Sequence, residues 1–168
     1  MKQFILKIAE RGFPILCYIF PLVEISTCFA GRVFLNADNR ILTEFYVNYV
    51  VAATRFYTGN VYLIFALMIG IFITCSNGTL KLKKFVRFNV IQAILLSIIC
   101  SFINAMYPLL PLIIRESYIG LLLSHVFYFG IVIAILYSAL LICYGKYPSI
   151  PILSEAARLH VQRGYLDD

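Results

Sequence analysis

The stretch FNVIQAILLSIICSFINAMYPLLPLII, residues 88–114, runs for 27 residues without a charged side chain. A helix needs about 20 apolar residues to cross a hydrocarbon core of ~30 Å. In lipid, a lone segment can satisfy its backbone only by forming a helix. The stretch is therefore read as a transmembrane helix, and two neighbours read the same way. Residues 56–80 and 117–145 form uncharged runs of 25 and 29 residues. The whole chain agrees: its 168 residues are 62% hydrophobic and 13% charged, with a mean hydropathy of +0.90. A soluble domain is roughly half apolar and about a quarter charged, because its surface faces water. This composition identifies an integral membrane protein.

A fourth span is less plain. Phe13 to Ala30 is apolar apart from Glu24, contains Pro14 and Pro21, and follows Lys2, Lys7 and Arg11. A basic start, an apolar run and Cys28-Phe29-Ala30 before Gly31 also fit a signal peptide. The mid-run acid and the two prolines favour a kinked helix packed among others. The expected fold is an all-α polytopic membrane protein in a single domain, residues 1–168. Its four transmembrane helices fall near 13–31, 57–76, 87–108 and 118–144, followed by a tail at 146–168.

The basic residues orient this bundle. One side carries Lys2, Lys7, Arg11, Lys81, Lys83, Lys84, Arg87, Lys146, Arg158 and Arg163, the other Arg32, Arg40, Arg55 and Arg115. Ten against four is a positive-inside bias that places both termini on the cytoplasmic side or its organelle equivalent. The net charge of +6 is thereby explained. No basic face for nucleic acid is expected, because no Lys/Arg cluster stands outside the short 81–87 loop.

Between the first two spans, residues 41–55 predict a short amphipathic helix in the headgroup region. Ile41, Leu42, Phe45, Tyr46, Tyr49, Val50 and Ala53 share one face, and Glu44, Asn48 and Arg55 group opposite. An ordinary connecting loop is the alternative, and the Phe and Tyr content favours the interface.

The third span carries the clearest pattern. Asn89, Gln92, Ala93, Ser97, Cys100, Ser101 and Asn104 fall on one half of the wheel, while Ile91, Ile94, Leu95, Ile98 and Phe102 fill the lipid-facing half. Polar side chains in a bilayer are turned inward. They serve either as helix-packing hydrogen bonds or as the lining of a hydrophilic path, and both readings stand. In the fourth span Gly120 and Ser124, then Ala134 and Ser138, give small-xxx-small spacings suited to close helix packing. His125 lies on another face and reads as a satisfied hydrogen-bonding residue rather than a proton relay, since the last two spans offer no acidic partner. Glu24 is the carboxylate within a span. It is expected to pair with Arg32 or with a polar group on the third span, the alternative being a place along a path.

Chemistry beyond this is not expected. Cys17, Cys28, Cys75, Cys100 and Cys143 lie in or beside apolar runs with no metal-ligand spacing. No P-loop, dinucleotide fingerprint, nucleophile elbow or zinc-protease motif occurs. The expectation is a protein that is not an enzyme and has no catalytic, cofactor-binding or metal site.

Lys84-Phe85-Val86-Arg87-Phe88-Asn89-Val90-Ile91-Gln92-Ala93-Ile94-Leu95-Leu96 resembles the central signature of the Tic 20-kilodalton family, a membrane subunit of the protein translocon in the inner chloroplast envelope. Tyr18-Ile19-Phe20-Pro21-Leu22 and the tail from Gly145 to Ala157 agree with it in order. The similarity covers residues 9–162. It implies four membrane helices with both termini in the stroma, and a role in passing preproteins across the inner envelope. Other Tic subunits and the transiting preproteins are the partners it implies. Two departures are noted: Ser76-Asn77-Gly78 precedes the signature, and Ser97 stands where an acid is often found. Lys84, Arg87 and Phe88 fall at the stromal interface, Arg87 either as an anchor to headgroups or bound to a neighbouring loop. Glu24, Asn89, Gln92, Ser97, Ser101 and Asn104 are the candidate path or subunit contacts. A chain this small is not expected to enclose a polypeptide-wide pore alone, so partners or a homo-oligomer are required. A non-channel scaffold or assembly factor, or a small-solute transporter, is the competing class. The first span is reached by residue 13, which is expected to leave no room for a Ser- and Arg-rich transit peptide, and the Phe, Tyr and Ile content is typical of AT-rich codons; both lead to the expectation of a plastid-encoded protein inserted from the stroma, with a cyanobacterial-type plasma-membrane member as the alternative.

Overall fold

The computed structural model describes residues 2–76, 82–151 and 153–163. Lys81, the Asn77-Gly78 step and the end of the tail lie outside the described residues, as do the side chains of Lys2, Lys7 and Arg163. All regular structure among the described residues is helical.

The first span is a helix in two pieces, α1 (Lys2–Cys17) and α2 (Ile19–Leu35). Pro21 has no N–H to bond the Cys17 carbonyl. At the break, the Tyr18 N–H bonds instead to the Ile15 carbonyl at 3.0 Å, one residue short of α spacing. The prolines therefore kink the helix without ending it, and Glu10–Leu35 remains long and apolar enough to cross a bilayer.

After α2 come α3 (Arg40–Phe45), a π-helical turn (Tyr46–Val50) and α4 (Val51–Gly59). Asn39 starts this run, its side-chain oxygen accepting from the N–H groups of Ile41 at 3.0 Å and Leu42 at 3.4 Å. Part of the expected amphipathic face packs on α2. Tyr46 stacks on Phe34 with ring centroids 5.9 Å apart, and Val50 is half-buried. Ile41 and Tyr49 at the edge of that face stay exposed. At Asn60 the axis turns by 81° into α5 (Val61–Ser76). The Asn60 side chain donates to the Phe56 carbonyl at 2.9 Å, capping α4 where it stops. The span expected from residue 57 thus begins at Val61, and its 16 residues rise about 24 Å, short of the ~30 Å core.

The chain continues through α6 (Lys84–Met106), a 3-10 turn (Tyr107–Leu109), α7 (Leu112–Arg115), α8 (Tyr118–Cys143) and α9 (Leu153–Arg163). Among the described residues, three helical stretches are long and apolar enough to cross a membrane, and the bent pair made by 40–59 and α5 supplies the fourth candidate. The protein is an all-helical, polytopic membrane protein.

α6 is the centre, packed by α1, α2, α5 and α9. Ile91 and Ile94, read as lipid-facing, are buried, and the exposed face of α6 begins only at Ile98 and Phe102. α9 joins α1, α2 and α5 around α6, in the same core cluster as Ile91 and Ile94. Leu153, Ala157 and Val161, spaced by four, form one buried helical face of α9 that docks on the α6 side of the bundle. A segment read as a tail thereby closes the core around the first half of α6.

Candidate functional site

Beyond its first turn the signature helix is enclosed: Val86 through Ile94 are buried without interruption. Its residues have distinct local tasks. Arg87 is 2% exposed, so it does not reach headgroups. Its Nε donates to the Cys75 carbonyl at 2.6 Å and its Nη2 to the Ser76 carbonyl at 2.7 Å. The last carbonyls of a helix have no partners within it and carry partial negative charge, so a buried guanidinium there both caps and neutralises α5. The interfacial-anchor reading of Arg87 is replaced by this cap. Phe88 is buried against Tyr147, ring centroids 5.2 Å apart and edge-on, and Tyr147 meets Phe85 in the same way at 5.3 Å. Lys84 is exposed at the first turn.

The polar stripe splits into two kinds of residue. Asn104 binds helices together: its Nδ2 donates to the Glu24 carbonyl at 2.6 Å and to Thr27 Oγ1 at 3.1 Å. Asn89 Nδ2 turns back to the Phe85 carbonyl of its own helix at 2.7 Å. Gln92 and Ser97 are fully buried, yet neither amide atom of Gln92 nor the Ser97 hydroxyl has a hydrogen-bond partner, and the Tyr18 hydroxyl shares this state. Ser101 is half-buried beside them. The Glu24 side chain does not pair with Arg32. Tyr57 of α4 lies near Glu24 and Ser97 but makes no hydrogen bond to the Ser97 hydroxyl. Sequence reasoning missed Tyr57, which reaches this region from α4, a helix packed on α2.

Arg32 works at the far end of the bundle. It bonds the Arg115 carbonyl, donates to the Tyr107 hydroxyl at 3.1 Å and pairs with Glu116 at 2.5 Å. Tyr107 in turn donates to the Gly120 carbonyl at 3.1 Å and lies 3.1 Å from Ser124 Oγ. This hub ties α2, the 3-10 turn and α8 together. A tyrosine before a proline at the end of an apolar run was its only trace in the sequence. Gly120 and Ser124 therefore pack against their own approach loop. Ser138 is buried, bonds the Ala134 carbonyl at 2.8 Å and lies beside Tyr18. His125 bonds the Leu121 carbonyl of its own helix at 2.9 Å.

The hub makes an asymmetric prediction. Arg32→Ala is expected to lower stability by about 2 kcal/mol, since buried acceptors lose a charged donor. Glu116→Gln is expected to lose less than about 1 kcal/mol, because that carboxylate is mostly exposed. Thermal unfolding in detergent measures both, and equal losses would contradict the hub.

The motif stretch, the proline-kinked first span and the docked tail thus share one core cluster, and residues 10–157 match the family model Chloroplast import apparatus Tic20-like. The chain belongs to the Tic20-like family. Among its relatives is the Tic20 family protein Ycf60 of Gracilaria tenuistipitata var. liui, 28% identical over 159 residues that cover 93% of this chain and 77% of the relative. The Cyanidium caldarium protein of that name is 28% identical over 153 residues, covering 91% of this chain and 74% of its own. The Porphyra purpurea protein is 34% identical over 90 residues, 54% of this chain and 44% of its own. No solved structure matches the chain. As a Tic20 family member with long apolar helices, the chain is a membrane protein tied by family to chloroplast protein import.

Proposed function

We propose that this chain is a non-enzymatic membrane subunit of the inner-envelope import translocon that forms one wall of, or a support beside, a preprotein-conducting path. The carrying observation is the unpaired stripe. An unsatisfied buried polar group costs about 1–3 kcal/mol, and a half-satisfied network is worse than an apolar core. Asn89 and Asn104 each place their amide N–H and leave only Oδ1 unpartnered, whereas Gln92 and Ser97 place no side-chain polar atom at all. Their natural partners are polar groups that arrive when neighbouring helices shift, either from other Tic subunits or from an unfolded chain in transit. The element best placed to shift is the bent pair of α4 and α5, because α5 alone is too short to span unaided and stands largely exposed.

In this reading the protein sits in the plastid inner envelope with both termini in the stroma. The charge distribution supports that orientation. Arg11 meets the Cys143 carbonyl at 2.7 Å and Lys83 pairs with Glu10 at 2.8 Å, so the basic groups of both regions gather at the end where α6 begins. Asn104's cross-helix bonds favour the second reading, a scaffold whose polar face only joins helices.

Single cysteines at Gln92, Ser97 and Asn104 separate the two. An arrested preprotein is expected to crosslink to positions 92 and 97 and to raise their labelling by aqueous thiol reagents, with the translocon co-purifying. Labelling by lipid-soluble reagents alone, with no crosslink and recovery in an unrelated assembly complex, would favour the scaffold.

A further inference from the structure

α4 ends deep in the bundle. A cavity of about 200 Å³ sets Val50, Ala53 and Thr54 against Leu22, Val23 and Ser26 of α2. Leu22 and Val23 are the middle pair of the 26-residue crossing stretch Glu10–Leu35. Tyr57, one turn further on, lies near Glu24 and Ser97, and Leu96 and Ser97 are the middle pair of the crossing stretch Lys84–Leu109. Two spans thus give one level. α3 and α4 descend along α2, and the 81° bend at Asn60 falls about half-way through the bilayer, not in the headgroup layer expected for 41–55.

The outer side of this bend is polar and open. Arg55, Thr58, Gly59 and Asn60 are exposed, and a Cβ built on Gly59 would meet nothing within 4 Å. Among the described residues Arg55 has no ion-pair partner. Glu44, three turns back, is held by Arg40, and Glu24 is half-buried beside Tyr57. Along the helices, about 20 Å separates this level from either headgroup layer, counted from Arg55 to Arg40 and from Ser97 to Lys84. An arginine side chain does not snorkel so far.

Hydrocarbon is therefore an unsuitable neighbour. Irregular backbone does not face lipid at membrane depth, and a cation there is paired or faces water. Water alone is unsuitable too, because Phe56, Tyr62 and Leu63 surround the polar group and are exposed with it. A second copy of this chain offers no free acid, since Glu24, the carboxylate at this level, is half-buried in its own bundle.

We infer that the α4–α5 bend is the docking surface for a transmembrane helix of another protein, one that carries a carboxylate at mid-membrane depth to pair with Arg55. The apolar flanks of that helix pack on Phe56, Tyr62 and Leu63. The inference requires only that the chain spans a bilayer, and it holds for a path subunit and for a scaffold alike.

The test uses the full chain in native membranes, with benzoylphenylalanine in place of Phe56 or Tyr62. Irradiation should join both positions to a protein other than this chain. The joined peptide should lie in an apolar run long enough to cross, with an Asp or Glu near its middle. Breaking a buried charge pair weakens a complex by about thirtyfold or more, so Arg55→Gln should cut the crosslink by that order. Arg55→Lys should retain most of it, and Arg40→Gln, at the headgroup level, should leave it unchanged. The melting temperature of the detergent-purified chain should not move in Arg55→Gln, because the exposed side chain has no ion pair within the molecule to lose. A lowered melting temperature would make Arg55 a structural residue and overturn the inference. So would a crosslink that Arg55→Gln leaves intact, or crosslinks to lipid alone, to a second copy or to an apolar run without an acid. Labelling of Thr58→Cys by an aqueous maleimide in intact membranes would also overturn it, assigning the bend to a water-filled path.

Discussion

Replacing Gly120 with alanine is expected to be among the most damaging single-methyl changes in this protein. A Cβ at that position would sit 2.1 Å from the Arg115 carbonyl oxygen, 2.6 Å from the Arg115 carbonyl carbon and 2.6 Å from the Ile114 carbonyl oxygen. All three are backbone atoms of the turn that leads into α8, so no side chain can rotate away to make room. The turn is itself held. Arg32 grips the Arg115 carbonyl, and Tyr107 bonds the Gly120 carbonyl. Relief therefore requires moving the loop off α8 and breaking the Arg32–Tyr107 hub together with it. Overpacking of a close-packed site costs typically 1–3 kcal/mol. With an immovable backbone and a coupled hub, a loss on the order of 3 kcal/mol is expected. Gly130→Ala on the same helix supplies the control, since a Cβ there meets nothing within 4 Å. It should leave stability unchanged within about 0.5 kcal/mol, alanine being the better helix former. Melting curves of the two purified variants decide the point. Similar curves would show that the loop yields more readily than its hydrogen bonds imply.

The comparison of these two glycines shows what a sequence can convey about such a chain. The long helices were legible because the bilayer leaves so few choices: an uncharged run of sufficient length must be helical to satisfy its backbone. The kink near Tyr18 was legible as well, since Pro21 removes a specific donor. Gly120 and Gly130 are both glycines in an apolar run, however, and only the return of the α7 turn makes one indispensable. Arg87 shows the same limit. Its position in the motif was plain, but its partners are backbone carbonyls of α5, and no residue type announces a carbonyl. The docking of α9 was half legible. Leu153, Ala157 and Val161 carry the helical spacing, but spacing does not say which surface they cover, and so the pattern of α6 alone points Ile91 and Ile94 to lipid. The candidate site was legible in its composition and not in its pairing. Asn89, Gln92, Ser97, Ser101 and Asn104 were found, whereas which of them find partners depends on where Glu24 and Thr27 arrive from another helix.

The second large effect is expected at Arg87. Arg87→Met keeps an apolar stem of similar reach and removes the guanidinium, leaving the Cys75 and Ser76 carbonyls without the donors they have at 2.6 and 2.7 Å. Each hydrogen bond to a charged group contributes about 1.5–3 kcal/mol, and water does not readily replace it at a buried site. A total loss of about 3 kcal/mol or more is therefore expected, concentrated on the attachment of α5 to α6. Arg87→Lys should recover only part of it, because an ammonium is a point donor and cannot match the planar fork that bridges two carbonyls. The consequence is local before it is global. Cys75, buried beneath Arg87, should become reactive toward maleimide in the methionine variant while the buried Cys100, on the far half of α6, stays protected; exposed Cys143 reports full labelling. Peptide-resolved labelling in native-like nanodiscs measures all three together. Simultaneous exposure of Cys75 and Cys100 would mean that Arg87 supports the entire bundle, and protection of both would mean that the α5 cap is dispensable. Exposure of Cys75 alone fits a helix whose docking on the central span is set by one cation, and it would make α5 the element that can leave the polar stripe with the smallest disturbance to the rest of the fold.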